Sequence, residues 1–151
     1  MDETDPDTIL IVGLTIEHYG ELLALWRRTP GICVADADSE EGIRRYLARN
    51  PGLSFIAMRK NRLVGSAMAG HDGRRGYLQH VVVDVDFRRR GIAQALVKRC
   101  LDGLAHEGIL KTHLEVMVTN QLANRYWANR GWQRRDDINR FSMILGPSPN
   151  V

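Results

Sequence analysis

The chain of 151 residues lacks the features that mark several protein classes. Its two cysteines, Cys33 and Cys100, form no Cys-x-x-Cys or Cys/His group, so a disulfide framework and a zinc site are not expected. No run of about 18 apolar residues occurs, which excludes a membrane-spanning helix. Internal repeats, low-complexity tracts and linkers are also absent. These absences leave an ordinary globular domain with one sizeable core.

The N-terminus does not have the character of a secretory signal. Its first eight residues, MDETDPDT, are acidic and polar, whereas a signal peptide carries positive charge and an apolar stretch. We therefore expect a flexible tail over residues 1–8, a single domain over residues 9–151, and a cytoplasmic location with reduced thiols.

Lysine is scarce, with three residues against 18 arginines, and the net charge is +3. The arginine guanidinium is a planar fork that suits phosphate, so an anionic partner is one interpretation and a solvated basic surface is the other. The anionic partner could be a nucleic acid or a phosphorylated cofactor. The sequence lacks a recognition-helix motif and an aromatic stacking platform, which disfavours nucleic acid.

Apolar periodicity predicts a mixed α/β domain around a single sheet of about six to seven strands, flanked by about four helices. The predicted element order is β-α-α-β-β-β-α-β-α-β. Thr15 and Ser39 are expected to cap the first two helices, Gly108 to end the third, and residues 120–130 to form the fourth. The predicted strands cover residues 8–14, 53–59, 63–70, 77–85, 112–118 and 139–145.

The stretch DFRRRGIAQAL, residues 86–96, places three arginines between a strand and a helix. The first N–H groups of a helix have no partner within it, and its N-terminal dipole end is positive, so this position favours phosphate. Gly91 has no Cβ, which lets an anion approach the backbone, and Ala93 keeps the first turn thin. The alternative is a basic surface turn with a glycine N-cap. A Walker loop and a dinucleotide fingerprint are both absent.

Two segments resemble the GNAT superfamily of acyl-CoA-dependent N-acyltransferases. In VVVDVDFRRRGIAQALV (81–97), the central signature [Q/R]-x-x-G-x-[G/A] is met by Arg88, Gly91 and Ala93. The second segment, LEVMVTNQLANRYWANRGW (114–132), resembles the family's L-x-V block with its asparagine and its short helix ending in glycine and an aromatic residue. The predicted element order agrees with the family fold.

The resemblance implies that acetyl-CoA is the acyl donor, that no metal is needed, and that two central parallel strands splay apart. The backbone of residues 81–83 would pair with the pantetheine arm, the N–H groups of residues 89–93 would hold the pyrophosphate, and Asn120 would contact the pantetheine near its sulfur end. The residues assigned to the cofactor in this way are Val81, Val83, Arg88, Arg89, Arg90, Gly91, Ile92, Ala93, Asn120 and Trp127.

Direct transfer to an amine needs a base, because the ammonium form has no lone pair. The resemblance assigns this role to Glu115 in LEV, although an ordinary outward-facing glutamate is the alternative. It also assigns the oxyanion donors to the N–H groups of Val82 and Val83. Gln79 lies where other members place a base; an amide cannot serve as one, but it could orient a water. Strand alternation predicts that His80 points to the opposite face, as a packed or surface histidine more than a base.

One departure from the family concerns the general acid. The family commonly has a tyrosine at the position of Trp127, where it protonates the leaving thiolate, while Tyr126 lies about 100° away around the helix. The acid is therefore missing or replaced by another group. This departure keeps a second hypothesis open, namely a CoA-binding regulatory or sensor module without turnover.

The acceptor is predicted only as a class, a small-molecule or protein amine. Two interpretations are open for the turn at residues 70–76. Asp72 and Gly73 are residues that favour turns, so they could serve only to form it. Alternatively, the turn faces the acceptor, with Asp72 attracting a cationic amine and His71 assisting. Residues 28–42 are expected to cover the acceptor side. We expect neither a nucleic-acid partner nor a membrane, while a homodimer and an acyl group slightly longer than acetyl stay open.

Overall fold

The structure, a computed structural model, describes Asp5 and residues 7–151. The chain divides into two compact units, one ending at Leu114 and the other spanning Glu115–Val151. Of the predicted tail, residues 1–4 and 6 lie outside the described residues, while Thr8 is buried and Asp7 forms an ion pair with Arg59. The single domain over residues 9–151 stays a prediction.

The first unit is built on a mixed sheet of five strands in the order β1-β2-β3-β4-β5. Neighbouring strands are antiparallel except β4 and β5, which are parallel. The mixed sheet and the parallel pair agree with the predicted fold class, but β5 lies at the edge of the sheet in the described residues, so the pair is not central as predicted. The splay of the two strands stays a prediction. The strands are β1 Ile9–Gly13, β2 Phe55–Arg59, β3 Arg62–His71, β4 Gly76–Val83 and β5 Thr112–Leu114.

The prediction of six to seven strands is wrong for the described part of the chain. Residues 139–145 form no strand, and the strand predicted over residues 112–118 ends at Leu114. Phe141 and Met143 have the alternation of a strand, but both side chains are largely exposed. Alternation shows only that a segment could present one apolar face. A strand also requires a hydrogen-bonded partner, which periodicity cannot supply.

Four α-helices are present among the described residues, as predicted. The Ser39 side chain caps the second helix by accepting the Gly42 N–H at 3.1 Å, which confirms the predicted cap. The fourth helix is capped in the same way by Asn120, whose side-chain oxygen accepts the Ala123 N–H at 3.2 Å. The helices are α1 Tyr19–Arg27, α2 Glu40–Arg49, α3 Ile92–His106 and α4 Gln121–Asn129.

The two faces of the sheet are covered by different helices. Trp26 of α1 and Ile43 of α2 form a buried cluster with Met68 of β3. On the other face a Cβ added to Gly65 would lie 3.2 Å from Leu96 of α3, so this glycine lets α3 pack close to the sheet. The sheet that contains β4 is therefore covered by helices on both faces.

A β-bulge interrupts β4 next to its centre. Ser66 of β3 pairs with Val82, and Met68, two residues later in β3, pairs with Gln79. The same stretch therefore advances by two residues in β3 and by three in β4, so β4 contains one extra residue. His80 lies inside the bulge with a φ of +47°. The predicted alternation, which sent His80 to the face opposite Gln79, is wrong because the extra residue breaks the two-residue period. Both side chains line one cavity instead.

Candidate functional site

The arginine stretch forms the connection between β4 and α3. A short 3-10 helix, Val85–Phe87, follows β4, and α3 begins at Ile92 directly after Gly91. Gly91 has a φ of +76° and Arg89 a φ of +64°. A Cβ added to Gly91 would meet no atom within 4 Å. The left-handed backbone therefore favours glycine here, and the space beside it is open to a ligand.

The backbone donors of this connection fit a phosphate group. Within the described part of the chain, the N–H groups of residues 89–93 donate to no other protein group. They stand at the positive end of the 15-residue helix α3, which adds to their preference for an anion. Ile92 can offer a ligand its N–H group but not its side chain, which is buried in the core.

The arginine side chains are partly engaged by the protein. Arg88 Nε donates to the Val83 carbonyl at 3.2 Å, which ties the connection to the end of β4. The guanidinium of Arg90 lies 5.1 Å from the centre of the buried Phe87 ring, and those of Arg59 and Arg62 lie 5.5 Å and 5.6 Å from it. Three positive charges thus surround one aromatic ring beside the free N–H groups.

Asp84 anchors the start of this connection. Its carboxylate is 4% exposed and lies 2.8 Å from Arg28 and 3.1 Å from Arg62. Burial acts to raise the pKa of Asp84, but hydrogen bonds from Arg28 and the Asp86 N–H, together with both guanidinium charges, hold that pKa below its usual range. The end of β4 is therefore fixed to the C-terminal end of α1 and to β3.

The outer edge of β4 is only partly covered by β5. Three residue pairs join the two strands, the last being Leu78 with Leu114, and β4 continues to Val83. The Asp84 N–H donates to the Val64 carbonyl of β3 at 2.8 Å. Since adjacent N–H groups of a strand alternate in direction, the Val83 N–H points away from β3 and the Val82 N–H points towards it. Val82 contributes a buried side chain to the core.

A cavity of about 400 Å³ lies beside the bulge, between β4, β3, α2 and the short 3-10 helix Asp36–Asp38. Its polar lining includes Asp38, Tyr46, Gln79 and His80. Ala37, Asp38 and Gly42 come from residues 28–42, the segment expected to cover the acceptor side.

His80 is held by three residues beside this cavity, Asp38, Trp26 and Ser66. Its Nε2 lies 2.9 Å from an Asp38 carboxylate oxygen, and its ring centre lies 4.3 Å from that of the buried Trp26. Ser66 donates its hydroxyl to the His80 carbonyl at 2.8 Å and accepts the Trp26 indole N–H at 3.0 Å. The second Asp38 oxygen accepts the Ala35 N–H at 3.0 Å. The imidazole therefore has one defined orientation.

The charge state of Asp38 follows from its contacts. Burial acts to raise the pKa of Asp38, but the hydrogen bonds from His80 and the Ala35 N–H outweigh it and lower that pKa. Asp38 is thus ionised at neutral pH. Opposite it, Tyr46 donates its hydroxyl to the side-chain oxygen of Gln79, and burial raises the pKa of Tyr46, which keeps it neutral. Gln79 faces the cavity, and its predicted role with water or acceptor stays a prediction.

The turn between β3 and β4 has its own internal bonds. The Asp72 carboxylate accepts the N–H groups of Arg74 and Arg75, both at 2.8 Å. His71 Nδ1 accepts the Gly73 N–H at 3.0 Å, and the other ring nitrogen lies 3.4 Å from Glu107. These contacts support turn formation by Asp72, and neither Asp72 nor His71 lines the cavity. Their proposed contact with an acceptor stays a prediction.

The second unit contains the remaining predicted residues. Glu115 is exposed and forms an ion pair with Arg140. Asn120 uses its side-chain oxygen to cap α4. Trp127 packs edge-on against Tyr126 and Trp132, with ring centres 5.1 Å and 5.3 Å apart. The cofactor and catalytic roles predicted for Glu115, Asn120 and Trp127 stay predictions.

Sequence reasoning missed the pairing of His80 with Asp38. The two residues are 42 positions apart and meet only because the bulge turns His80 towards the 3-10 helix. A histidine beside a glutamine in an apolar strand carries no signal of such a bulge. The separate signal was Asp38 itself, an acidic residue just before a helix in the segment assigned to the acceptor side.

Comparisons with known proteins agree with this architecture. Residues 19–132 match the model of the Acetyltransferase (GNAT) family. The chain is 36% identical over 104 residues to an acetyltransferase of Pectobacterium atrosepticum, covering 69% of this chain and 73% of that protein.

Two solved structures share the fold at low identity. The PaiA N-acetyltransferase of Thermoplasma acidophilum in complex with coenzyme A has a TM-score of 0.75 at 18% identity, covering 85% of this chain and 92% of that one. AAC(6')-Iy in complex with the bisubstrate analogue CoA-S-monomethyl-acetylneamine has a TM-score of 0.71 at 19% identity, covering 92% and 100%. The family match covers most of the sequence, and the chain belongs to the GNAT family of acetyltransferases.

Proposed function

We propose that this protein transfers an acetyl group from acetyl-CoA directly to a primary amine while both substrates are bound. The observation that carries the proposal is the row of unpaired N–H groups at residues 89–93, next to a strand whose outer edge extends beyond its last pair with β5. Such a row at a helix N-terminus suits a pyrophosphate, and an open strand edge suits an amide-containing arm.

The residues of β4 and of the connection before α3 fit CoA with its pyrophosphate at residues 89–93 and its pantetheine arm along residues 81–83. The backbone of residues 89–93 and the charges of Arg89 and Arg90 would hold the pyrophosphate, while Arg88 keeps the connection in place through Val83. The backbone of residues 81–83 would pair with the pantetheine arm. Asn120 and Trp127 are kept as further contacts by family resemblance. When bound, acetyl-CoA supplies an activated thioester carbonyl.

The protein must then stabilise an oxyanion and remove a proton. We assign the oxyanion to the Val83 N–H, which points away from β3, and not to the Val82 N–H, which points towards β3. An alkyl amine has a pKa of about 10.4, so a base is needed at neutral pH. Glu115 is the base suggested by family resemblance, and its ion pair with Arg140 would have to open first.

Trp127 at the usual tyrosine position favours one other candidate, a CoA-binding module without turnover. The two functions differ in one measurable property. An acetyltransferase releases CoA faster when an amine is added. A sensor binds acetyl-CoA, but the addition of an amine does not increase its rate of CoA release.

The acceptor class, a small-molecule or protein amine, is proposed from the family. AAC(6')-Iy, one of the proteins with the same fold, is bound to an analogue that joins CoA to a neamine derivative. No helix in the described part of the chain is long and apolar enough to cross a bilayer. The cytoplasmic location, the homodimer and the lack of a metal or nucleic-acid partner stay predictions.

The proposal is tested by calorimetry with acetyl-CoA followed by thiol release with a panel of primary amines. We expect saturable acetyl-CoA binding, and thiol release that increases with the concentration of at least one amine. Binding without amine-dependent release would support the sensor function, and an absence of binding would contradict both.

A further inference from the structure

We infer that His80, held by Asp38, accepts the proton of the acceptor amine in the cavity beside the β4 bulge. The inference rests on the proposed amine acetylation. It places the proton acceptor at His80 instead of at Glu115, the residue suggested by family resemblance, and it places the acceptor amine in this cavity. Its basis is the geometry of the bulge, the Asp38 contact and the cavity.

The backbone at His80 is strained in a way that serves the placement of its ring. A φ of +47° lies in the left-handed region, which residues other than glycine adopt only rarely. Such strain persists where the surroundings fix it, and it concentrates at functional positions. Here Ser66 holds the His80 carbonyl and Trp26 covers one face of the ring. The result is that two consecutive side chains, Gln79 and His80, enter one cavity.

The ring has one nitrogen bound and one available. Ionised Asp38 can only accept a hydrogen bond, so its contact with Nε2 places the proton of the neutral imidazole on that nitrogen. Nδ1 makes no hydrogen bond to any described residue. Every fully buried side-chain nitrogen or oxygen in the described part has a partner, so Nδ1 is not fully buried, and the His80 side chain is 18% exposed. Nδ1 is therefore an unprotonated nitrogen that a substrate can reach.

A carboxylate and an aromatic ring lie against the imidazole. The Asp38 carboxylate lies 2.9 Å away, and the Trp26 ring offers a π face to an imidazolium. The other titratable or charged residues that line the cavity come from α2 and are Arg45, Tyr46 and Arg49. Tyr46 is neutral. Arg45 and Arg49 are both exposed, so solvent weakens their repulsion, and Arg45 also lies 3.4 Å from Glu41. From α1 and β3 only uncharged side chains face the ring.

The proposed step conserves atoms and charge. An ammonium group gives one proton to His80 Nδ1, which passes it to solvent. The neutral nitrogen then attacks the thioester carbonyl carbon, a C–N bond forms, and the C–S bond breaks with its electron pair going to sulfur. The second nitrogen proton goes to that sulfur. The products are an N-acetylated amine, CoA and one proton released to solvent. Asp38 acts only through His80, as a positioning residue.

The test compares three variants by calorimetry and by the pH dependence of kcat/KM for an amine identified in the panel. His80→Asn removes the base with a residue that tolerates positive φ, so backbone strain does not confuse the result. Asp38→Asn keeps the shape of the positioning group and removes its charge. His106→Asn, at the exposed end of α3, is the matched control.

We expect all three variants to bind acetyl-CoA like the wild type. His80→Asn should lower kcat/KM at neutral pH by about 10²–10⁴-fold, the range typical of a lost general base, with the loss becoming smaller at high pH. Asp38→Asn should shift the fall of kcat/KM on the acidic side of the profile to lower pH, because the protonated imidazole loses its counter-ion. A purely structural role of Asp38 would not produce this shift. His106→Asn should behave as the wild type.

A second variant covers the case in which His80→Asn does not fold. Glycine accepts the positive φ without cost, and His80→Gly leaves a ring-sized space against Trp26, so added imidazole should restore activity at least tenfold. The inference would be overturned if kcat/KM of the His80 variants fell on the acidic side as it does in the wild type. It would also be overturned if only Glu115→Gln removed that fall. Either result would leave the proposed function standing. A wild type that acetylates no amine would contradict the proposed function itself.

Discussion

Gly91→Asn tests whether the N–H groups before α3 bind the CoA pyrophosphate. Gly91 has a φ of +76° and open space beside it. Asparagine tolerates this backbone better than other residues with a side chain, and its side chain would occupy the space in front of the free N–H groups. A larger branched residue such as valine is less suitable, because strain and steric blockage would both lower affinity.

The expected effect follows from the hydrogen bonds lost. Displacing the phosphate from one N–H group removes a charge-assisted hydrogen bond, worth about 1.5–3 kcal/mol. That free energy corresponds to a loss of affinity of about 10- to 150-fold. Isothermal calorimetry with acetyl-CoA measures it directly, and thermal unfolding shows whether the variant is folded.

Gly108→Asn supplies the matched control. Gly108 lies just after α3, also has a positive φ, +83°, and a Cβ added to it would also meet no atom within 4 Å. The substitution is therefore similar in backbone strain and exposure but stands at the negative end of the helix dipole. We expect unchanged affinity. Equal affinity of a folded Gly91→Asn protein and the wild type would refute the phosphate assignment.

Two further predictions concern the leaving group and stability. Tyr126→Phe should change turnover by less than about threefold, because the CoA thiol, with a pKa of about 8.5, can leave as a thiolate. A loss of turnover above about tenfold in steady-state assays would instead identify Tyr126 as the general acid. Asp84→Asn should lower the free energy of unfolding by about 2 kcal/mol at pH 7, because Arg28 and Arg62 lose a buried partner. Since folding lowers the pKa of Asp84, its contribution is complete above about pH 4 and is lost as the pH falls further, so denaturation curves of variant and wild type should converge in acid.

The order of helices and strands was predictable because it depends on local apolar periodicity and on caps such as Ser39. The last strand was not, because Phe141 and Met143 alternate correctly without a hydrogen-bonded partner. A pattern within one segment records which residues can share a face, and it contains no information about a neighbouring backbone.

The same limit explains what was predictable in the site. The Arg88–Gly91 signature is contiguous, so its place before a helix followed from the sequence. The contact between His80 and Asp38 depends on a bulge that shifts the strand by one residue. Bulges change which face a residue occupies, and nothing in the residues around His80 marks this one.

The central claim is amine acetylation at the expense of acetyl-CoA, and isotope transfer tests it most directly. The protein is incubated with acetyl-labelled acetyl-CoA and the amine panel, and products are analysed by mass spectrometry while free thiol is counted. We predict one labelled acetyl group on an amine for each CoA released. Saturable acetyl-CoA binding with no labelled amine, or CoA release matched only by free acetate, would contradict the claim.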